Sequence, residues 1–291
     1  MRSLSLALLI AARPGAAQEV QAEADLRLHE LHSRVFRNTR LLRVLVPEEY
    51  DAPGNRARKY PVLYLNDGQN LFDSATALFN PMEWRIDETV RRLVTLREIP
   101  PLIVVGIDNA GRRGRAREYL PYVDAYLRPA EPDPLGERYP EFLVEEVLPF
   151  VNVRYRTLRG AEHTGLGGSS YGGLASLFAV IARSGVFGRL LVESPSLYVD
   201  SAAILRDAAL AVRWPERIYL GVGTNEGGRP ECKPEDPREP EAVADVRRLA
   251  RLLSARVDSS RVLVVVEPCA VHNEAAWARR LPAPLRCLFA P

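Results

Sequence analysis

Ser170, Glu226 and His272 are the residues of this 291-residue chain whose types and order suit covalent catalysis. Ser170 is central in Gly168-Ser169-Ser170-Tyr171-Gly172, a G-x-S-x-G pattern inside the glycine-rich run Gly167 to Gly173. A neutral serine hydroxyl is a weak nucleophile. It needs a base within hydrogen-bond reach, and the base needs a carboxylate that fixes its tautomer and stabilises its charged form. His272 is the candidate base and Glu226 the candidate acid. Asp200 and Asp245 compete for the acid role, Asp245 from within a helix-forming stretch. Alone, the serine pattern is a weak signal, because a glycine-rich turn closing a βα unit reads the same way. Its flanks strengthen it. Thr164-Gly165-Leu166 reads as a strand and Leu174 to Val180 as a helix, so the serine sits on a sharp strand-to-helix turn. Such a turn strains the serine backbone, and glycines two residues to either side keep side chains from colliding. The N–H of Tyr171 then faces developing negative charge from the start of a helix.

The elements that must position these side chains read as alternating strands and helices. Pro61 to Asn66 is an apolar strand that runs into Asp67-Gly68-Gln69-Asn70-Leu71-Phe72-Asp73. A glycine just past a strand end lets the backbone turn and leaves amides free. The amide of Gln69 is the candidate second oxyanion donor. Trp84 to Glu98 carries Ile86, Val90, Leu93 and Leu96 at helical spacing, and Pro100-Pro101 ends it. Leu102 to Ile107 is a continuous apolar run fit for a central parallel strand. An arginine-rich loop follows, through Arg112, Arg113 and Arg115. Beside a cleft it would suit an anionic substrate group; solvated surface is the plainer reading. Glu141 to Val151 is an amphipathic helix. Phe187 to Val192 is a strand leading into the loop Glu193 to Tyr198, and Ala202 to Val212 is helical. Arg217 to Val222 is a strand that ends before Glu226. Ala242 to Val257 is helical, and Arg261 to Val266 is the last strand. It empties into the loop of His272, followed by a helix around Trp277.

Near the N-terminus, Ser33 to Arg37 and Leu41 to Val46 flank Asn38-Thr39 like an antiparallel pair at a sheet edge. Gln21 to Glu30 is a charged, helix-compatible lead-in. The alternation argues for a single α/β domain over residues 33–291, with a mainly parallel sheet. In such sheets ligands bind beyond the carboxyl ends of the strands. Ser170, Glu226 and His272 each follow such an end, so they can meet in space although far apart in sequence.

Composition bounds the function. The chain is 47% hydrophobic and 26% charged, as expected for a globular protein with a sizeable core. A net charge of only +2 supplies no basic field for nucleic acid. Arg2, the apolar stretch Leu4 to Ala12 and the small residues Gly15-Ala16-Ala17 read as a secretory signal over residues 1–17, followed by a lead-in over 18–32. This predicts a secreted or periplasmic protein. No other stretch reaches the ~18 apolar residues of a membrane span. The cysteines are Cys232, Cys269 and Cys287. Cys287 lies in an apolar terminal segment and reads as core. Cys232 and Cys269 follow the acid strand and the histidine strand. If those strands are neighbours, a disulfide would tie the Glu226 loop to the His272 loop, in keeping with an oxidising compartment. Two free thiols are the alternative.

The chain resembles the esterase family of the α/β-hydrolases, in its enterochelin-esterase-like and esterase D-like group. The residues that carry the resemblance are Tyr64 to Asp73, Glu83-Trp84, Arg115 to Pro121, Arg154 to Thr157, Gly167 to Gly173, Ser194 to Leu197 and the late His272. It covers roughly residues 33 to 289. The resemblance implies an α/β-hydrolase fold: a mainly parallel central sheet, helices on both faces, and antiparallel N-terminal edge strands. It implies ester hydrolysis through an acyl-enzyme, with Ser170 as nucleophile and His272 as base; Glu226 as acid and the amides of Tyr171 and Gln69 as oxyanion donors rest on the reading of the residues above. Arg115, Trp84 and Tyr198 are the expected substrate contacts. The expected partner is a small-molecule ester, with no nucleic acid and no metal or organic cofactor. Family members act on siderophore esters, feruloyl or acetyl sugar esters or thioesters, or transfer mycolyl groups. This chain departs from them at a longer, more basic stretch from Gly111 to Arg115 and at an insertion from Gly228 to Pro240. The other readings are an acyltransferase using the same triad and a non-catalytic carbohydrate- or siderophore-binding module on the same fold.

Overall fold

The computed structural model describes residues 25–234 and 240–291. The signal reading at 1–17 and the first part of the lead-in lie outside the described residues. The strands are β1 (Leu26–Ser33), β2 (Asn38–Leu45), β3 (Val62–Asn66), β4 (Ile103–Ile107), β5 (Thr164–Ser169), β6 (Arg189–Glu193), β7 (Arg217–Gly223) and β8 (Val262–Glu267). They form one sheet in the order β1-β2-β4-β3-β5-β6-β7-β8. β1 and β2 pair antiparallel with each other, and β2 pairs antiparallel with β4. Every pairing from β4 through β8 is parallel.

The helices are α1 (Ile86–Thr95), α2 (Gly111–Tyr119), α3 (Tyr139–Phe142), α4 (Leu148–Arg154), α5 (Tyr171–Ala182), α6 (Val199–Leu210), α7 (Glu241–Ser254), α8 (Glu274–Arg280) and α9 (Pro282–Phe289). A π-helical turn, Leu143–Val147, joins α3 to α4. The two faces of the sheet bury separate cores, and the pleat sorts residues between them. Val62 and Tyr64 join the cluster that contains Leu174, Leu177 and Val246 of α5 and α7. Leu63 and Leu65 join the cluster on the opposite face, with Val90 and Leu93 of α1 and Leu285 of α9. A strand covered on both sides has no polar face to show, which is why β3 and β4 read as unbroken apolar runs.

Four expectations change. The lead-in is not helical past residue 25: Leu26–Ser33 is β1, paired from Leu26 with Leu45 to Ser33 with Asn38. The antiparallel edge pair exists, but its first strand lies upstream of the predicted one, and residues 34–37 form the turn. An edge strand pairs on one side only and tolerates charge, so Arg27, Glu30 and His32 masked the pattern. The arginine-rich loop after β4 is helix α2. Gly111 and Gly114 each disfavour a helix by about 1 kcal/mol. Packing outweighs them, because Arg115 and Tyr119, four apart on one face, are both buried. Finally, the terminal helix is two helices, α8 and α9, divided at Leu281 and Pro282.

Candidate active site

The serine turn follows β5. Ser170 holds φ 56° and ψ −128°, a conformation that costs an L-residue about 1–3 kcal/mol. Its N–H donates to the Glu193 carbonyl at 3.0 Å, which fastens the turn to the end of β6. The crowding explains the flanking glycines. A Cβ on Gly168 would lie 2.8 Å from the Gly172 backbone, and one on Gly172 would lie 3.0 Å from Asp67 Oδ2. Tyr171 is the first residue of α5. Its N–H is therefore one of those at a helix start with no carbonyl of the helix to bind.

The loop after β3 packs against this turn. Asn66 donates to the Gly172 carbonyl at 2.8 Å and to Ser176 Oγ at 3.0 Å. Asp67 takes a left-handed conformation, φ 59°, and Gly68 to Asn70 close a short 3-10 turn that contains Gln69. The Gln69 side chain faces β4, where its Oε1 accepts the Asn109 N–H at 3.2 Å. Arg115 holds the loop from below. Its Nε and Nη2 donate to the two oxygens of Asp67 at 2.7 and 2.8 Å. Burial opposes the guanidinium charge, but the Asp67 carboxylate outweighs it and raises the Arg115 pKa. Arg115 therefore does not stand at a mouth awaiting an anion; its charge is already spent on Asp67. Arg115→Met would leave Asp67 buried and uncompensated, at an expected cost of about 3–5 kcal/mol. The double variant Arg115→Met/Asp67→Asn should recover part of that loss. Urea unfolding measures both, and a loss below about 1 kcal/mol for the single variant would remove the pair from this account.

Glu226 and His272 come from the ends of β7 and β8. His272 Nδ1 lies 2.5 Å from Glu226 Oε2. A carboxylate only accepts, so Nδ1 carries the proton and Nε2 is left as the basic nitrogen. Glu226 Oε1 accepts the Gly223 N–H at 2.5 Å and the Ser194 hydroxyl at 2.7 Å. Burial works against the Glu226 charge, but the bonds from His272, Gly223 and Ser194 outweigh it and hold its carboxyl below the ordinary value. Neither Asp200 nor Asp245 takes this place. Asp200 lies at the start of α6, and Asp245 sits on α7 with its pKa raised by burial and by Glu241.

Ser170, Tyr171, Glu226, His272, Ser194 and Tyr198 line one cavity of about 540 Å³. Its other acidic walls are Glu241 and Asp245, and among the described residues no arginine or lysine lines it. The anion-holding role expected of Arg112, Arg113 and Arg115 thus has no counterpart there. Arg112 instead donates to the Leu78 carbonyl and lies 5.2 Å from the Phe79 ring centre. Trp84 is also corrected. It is 2% exposed, packs 5.8 Å from the Trp277 ring and belongs to the core beneath, not to a substrate wall. Tyr198 does line the cavity. No group of three or more His, Cys, Asp or Glu side chains among the described residues is arranged to hold a metal ion.

Sequence reasoning missed the residues that support Glu226. Ser194, at φ 42°, accepts from Trp277 Nε1 at 3.0 Å and from Arg280 Nη2 at 3.3 Å while it donates to Glu226. Arg280 is itself paired with buried Glu193 at 2.8 Å and with Glu267 at 2.8 Å. The signal was the position of Ser194 just past β6, the same place that Glu226 and His272 hold on their strands.

Cys232 and Cys269 form a disulfide with a Cα–Cα distance of 5.6 Å. The linkage that neighbouring strands would permit is therefore present. Beside it, the Cys269 N–H donates to Thr224 Oγ1 at 2.8 Å and the Asn225 N–H to the Ala270 carbonyl at 3.0 Å. The acid and histidine loops are thus stitched together on both sides. Removing the bridge, which closes 37 residues of sequence separation, should cost about 2–4 kcal/mol. Thermal unfolding of Cys232→Ser/Cys269→Ser against the wild type checks this, and equal midpoints would contradict it.

An open, mainly parallel eight-stranded sheet with a strained serine turn after β5 and an acid–histidine pair after β7 and β8 defines an α/β-hydrolase fold. The family model described as "Putative esterase" matches residues 33–288, and the chain belongs to that esterase family. It is 24% identical over 170 residues to the uncharacterized protein YbbA of Bacillus subtilis, across 58% of this chain and 62% of that one. It is 31% identical over 177 residues to the siderophore enterobactin esterase of Emericella nidulans, across 55% of this chain and 53% of that one. The matched regions span less than two thirds of these relatives' own lengths. Among solved structures, the IroE-like serine hydrolase of Shewanella oneidensis superposes with a TM-score of 0.68 at 22% identity, covering 91% of this chain and 80% of that one. The BES protein of Bacillus cereus gives 0.69 at 17% identity, with both chains fully covered. These two likenesses concern the fold. No helix among the described residues is long and apolar enough to cross a membrane.

Proposed function

We propose that the protein is a serine esterase that cleaves carboxylic esters through an acyl-enzyme. The observation that carries this reading is the Glu226–His272 pair, 2.5 Å apart, on the wall of the cavity that also contains strained Ser170. In the proposed cycle His272 Nε2 takes the Ser170 proton as Oγ attacks the ester carbonyl. The Tyr171 and Gln69 N–H groups hold the oxyanion, and His272 returns the proton to the departing alcohol. Water repeats the sequence on the acyl-serine. Arg115 acts from one layer below by fixing Asp67, and so the turn that carries Gln69. The acidic lining by Glu241 and Asp245 favours neutral over anionic esters. Secretion is part of the proposal, supported by the Cys232–Cys269 disulfide.

Rapid mixing with p-nitrophenyl acetate tests the reading. A burst of p-nitrophenolate equal to the enzyme concentration, then a slower steady rate, is expected. Added methanol that accelerates the steady phase and yields methyl acetate would reveal acyl transfer from the same intermediate. A buffer-level rate with no burst would leave only the binding-module reading.

A further inference from the structure

Tyr171 and Tyr198 both line the cavity, yet both hydroxyls are committed elsewhere. Tyr171 Oη donates to Asp124 Oδ2 at 2.6 Å, and Tyr198 Oη reaches the same oxygen at 3.2 Å. Asp124 is 2% exposed and is not among the residues of the cavity wall. It lies between α2 and α3, on a segment with no helix or strand of its own. Its second oxygen, Oδ1, accepts the Tyr126 N–H at 2.8 Å, and its carbonyl accepts the Leu127 N–H at 3.3 Å. One carboxylate therefore fixes its own turn and two phenols from two other elements, the start of α5 and the residue before α6.

The consequence is geometric. With their hydroxyls drawn toward a buried carboxylate behind the wall, the two tyrosines offer ring surface to the cavity. The Tyr126 ring, on a residue 78% exposed, meets the Tyr198 ring edge-on at 6.1 Å. All three tyrosines are thus tied to Asp124, two through their hydroxyls and Tyr126 through its backbone N–H. Burial, with Asp124 adding to it, raises the Tyr171 pKa, and the Tyr198 pKa is raised chiefly by burial, so both phenols remain donors. Hydrogen bonds from a neutral donor to a carboxylate are about twice as strong as neutral pairs.

We infer that Asp124 is a specificity-determining positioning residue: it turns the Tyr171 and Tyr198 hydroxyls out of the cavity and so presents an aromatic wall to the ester. This rests on the esterase reading of the same cavity. Without Asp124 the two hydroxyls lose this acceptor and are free to turn toward the cavity, in place of the ring faces. Planar, apolar groups of the ester should suffer most.

The test compares kcat/KM for 4-nitrophenyl benzoate with that for 4-nitrophenyl acetate. In Asp124→Ala the benzoate-to-acetate ratio should fall about tenfold. Asp124→Asn, which keeps one oxygen acceptor, should fall less and serves if the alanine variant does not fold. Tyr171→Phe/Tyr198→Phe, with no hydroxyl to expose, should keep the ratio closer to wild type than Asp124→Ala does. A purely structural Asp124 would lower both rates together and leave the ratio unchanged, which would overturn the proposal. A second readout needs no turnover. Calorimetry of methyl 3,4-dihydroxybenzoate on Ser170→Ala should give a Kd about fivefold tighter or more than on Ser170→Ala/Asp124→Ala. Equal Kd values would overturn the Asp124 assignment. Retained binding in a wild type that hydrolyses neither ester would overturn the esterase reading instead.

Discussion

Ser170→Ala is expected to lower kcat for ester hydrolysis by about 10⁴- to 10⁶-fold while leaving the fold intact. The size follows from what is removed. The oxyanion donors and the cavity survive, and such remnants supply only a residual acceleration over water; the covalent route is gone. The fold should not suffer, because Ser170 contributes strain rather than packing. Its φ of 56° is relieved little by alanine, so the thermal midpoint should move by no more than about 2–4 °C. Steady-state kinetics with p-nitrophenyl acetate and a melting curve on the same preparation check both halves. A variant retaining more than about a tenth of wild-type kcat would remove Ser170 from the chemistry.

Glu226→Gln is the second large effect, an expected fall of about 10³- to 10⁴-fold in kcat with KM little changed. An amide at this position can donate as well as accept. It can leave His272 with its proton on Nε2, the wrong nitrogen for a base. The pH behaviour follows from the same contacts. In the folded protein the Glu226 carboxyl is held below its ordinary value, chiefly by its bond to His272, against the opposing effect of burial. A depressed carboxyl stabilises the fold above the unfolded pKa of about 4.3. That contribution is lost as pH falls through the folded value. The contribution of the Glu226 carboxyl should therefore be fully present above about pH 5 and decline below, and Glu226→Gln should flatten that decline. Melting curves across pH 3 to 8 measure it. A Glu226→Gln variant whose decline below about pH 5 matches that of the wild type would contradict the contacts described.

The frame was legible because apolar runs and turn residues report the sheet directly. Every strand from β3 to β8 was readable, since each is an apolar or, in β5, glycine-rich run, and all but the half-buried edge strand β8 are almost wholly buried. Ser170, Glu226 and His272 could be singled out because each sits just past a strand end, a position that topology alone makes convergent. Roles that depend on side-chain direction were not readable. Arg115 and Trp84 were expected at the substrate; both are buried, one against Asp67 and the other against Trp277. Nothing in a linear sequence tells which way an arginine on a helix turns, and the two glycines of α2 hide the helix itself. The same limit hid Ser194, Arg280 and Asp124, whose partners lie 32, 87 and 47 residues away in the chain. Such contacts exist only once the strands are in order.

Covalent trapping addresses the central claim most directly. Incubation with diethyl 4-nitrophenyl phosphate, followed by intact mass measurement and peptide mapping, should show one diethylphosphoryl group per chain, located on Ser170. Labelling should be slowed at least about 10³-fold in His272→Ala, because the same base must activate the same oxygen. An unmodified wild-type protein, or a label that persists in Ser170→Ala at the wild-type rate, would contradict the account.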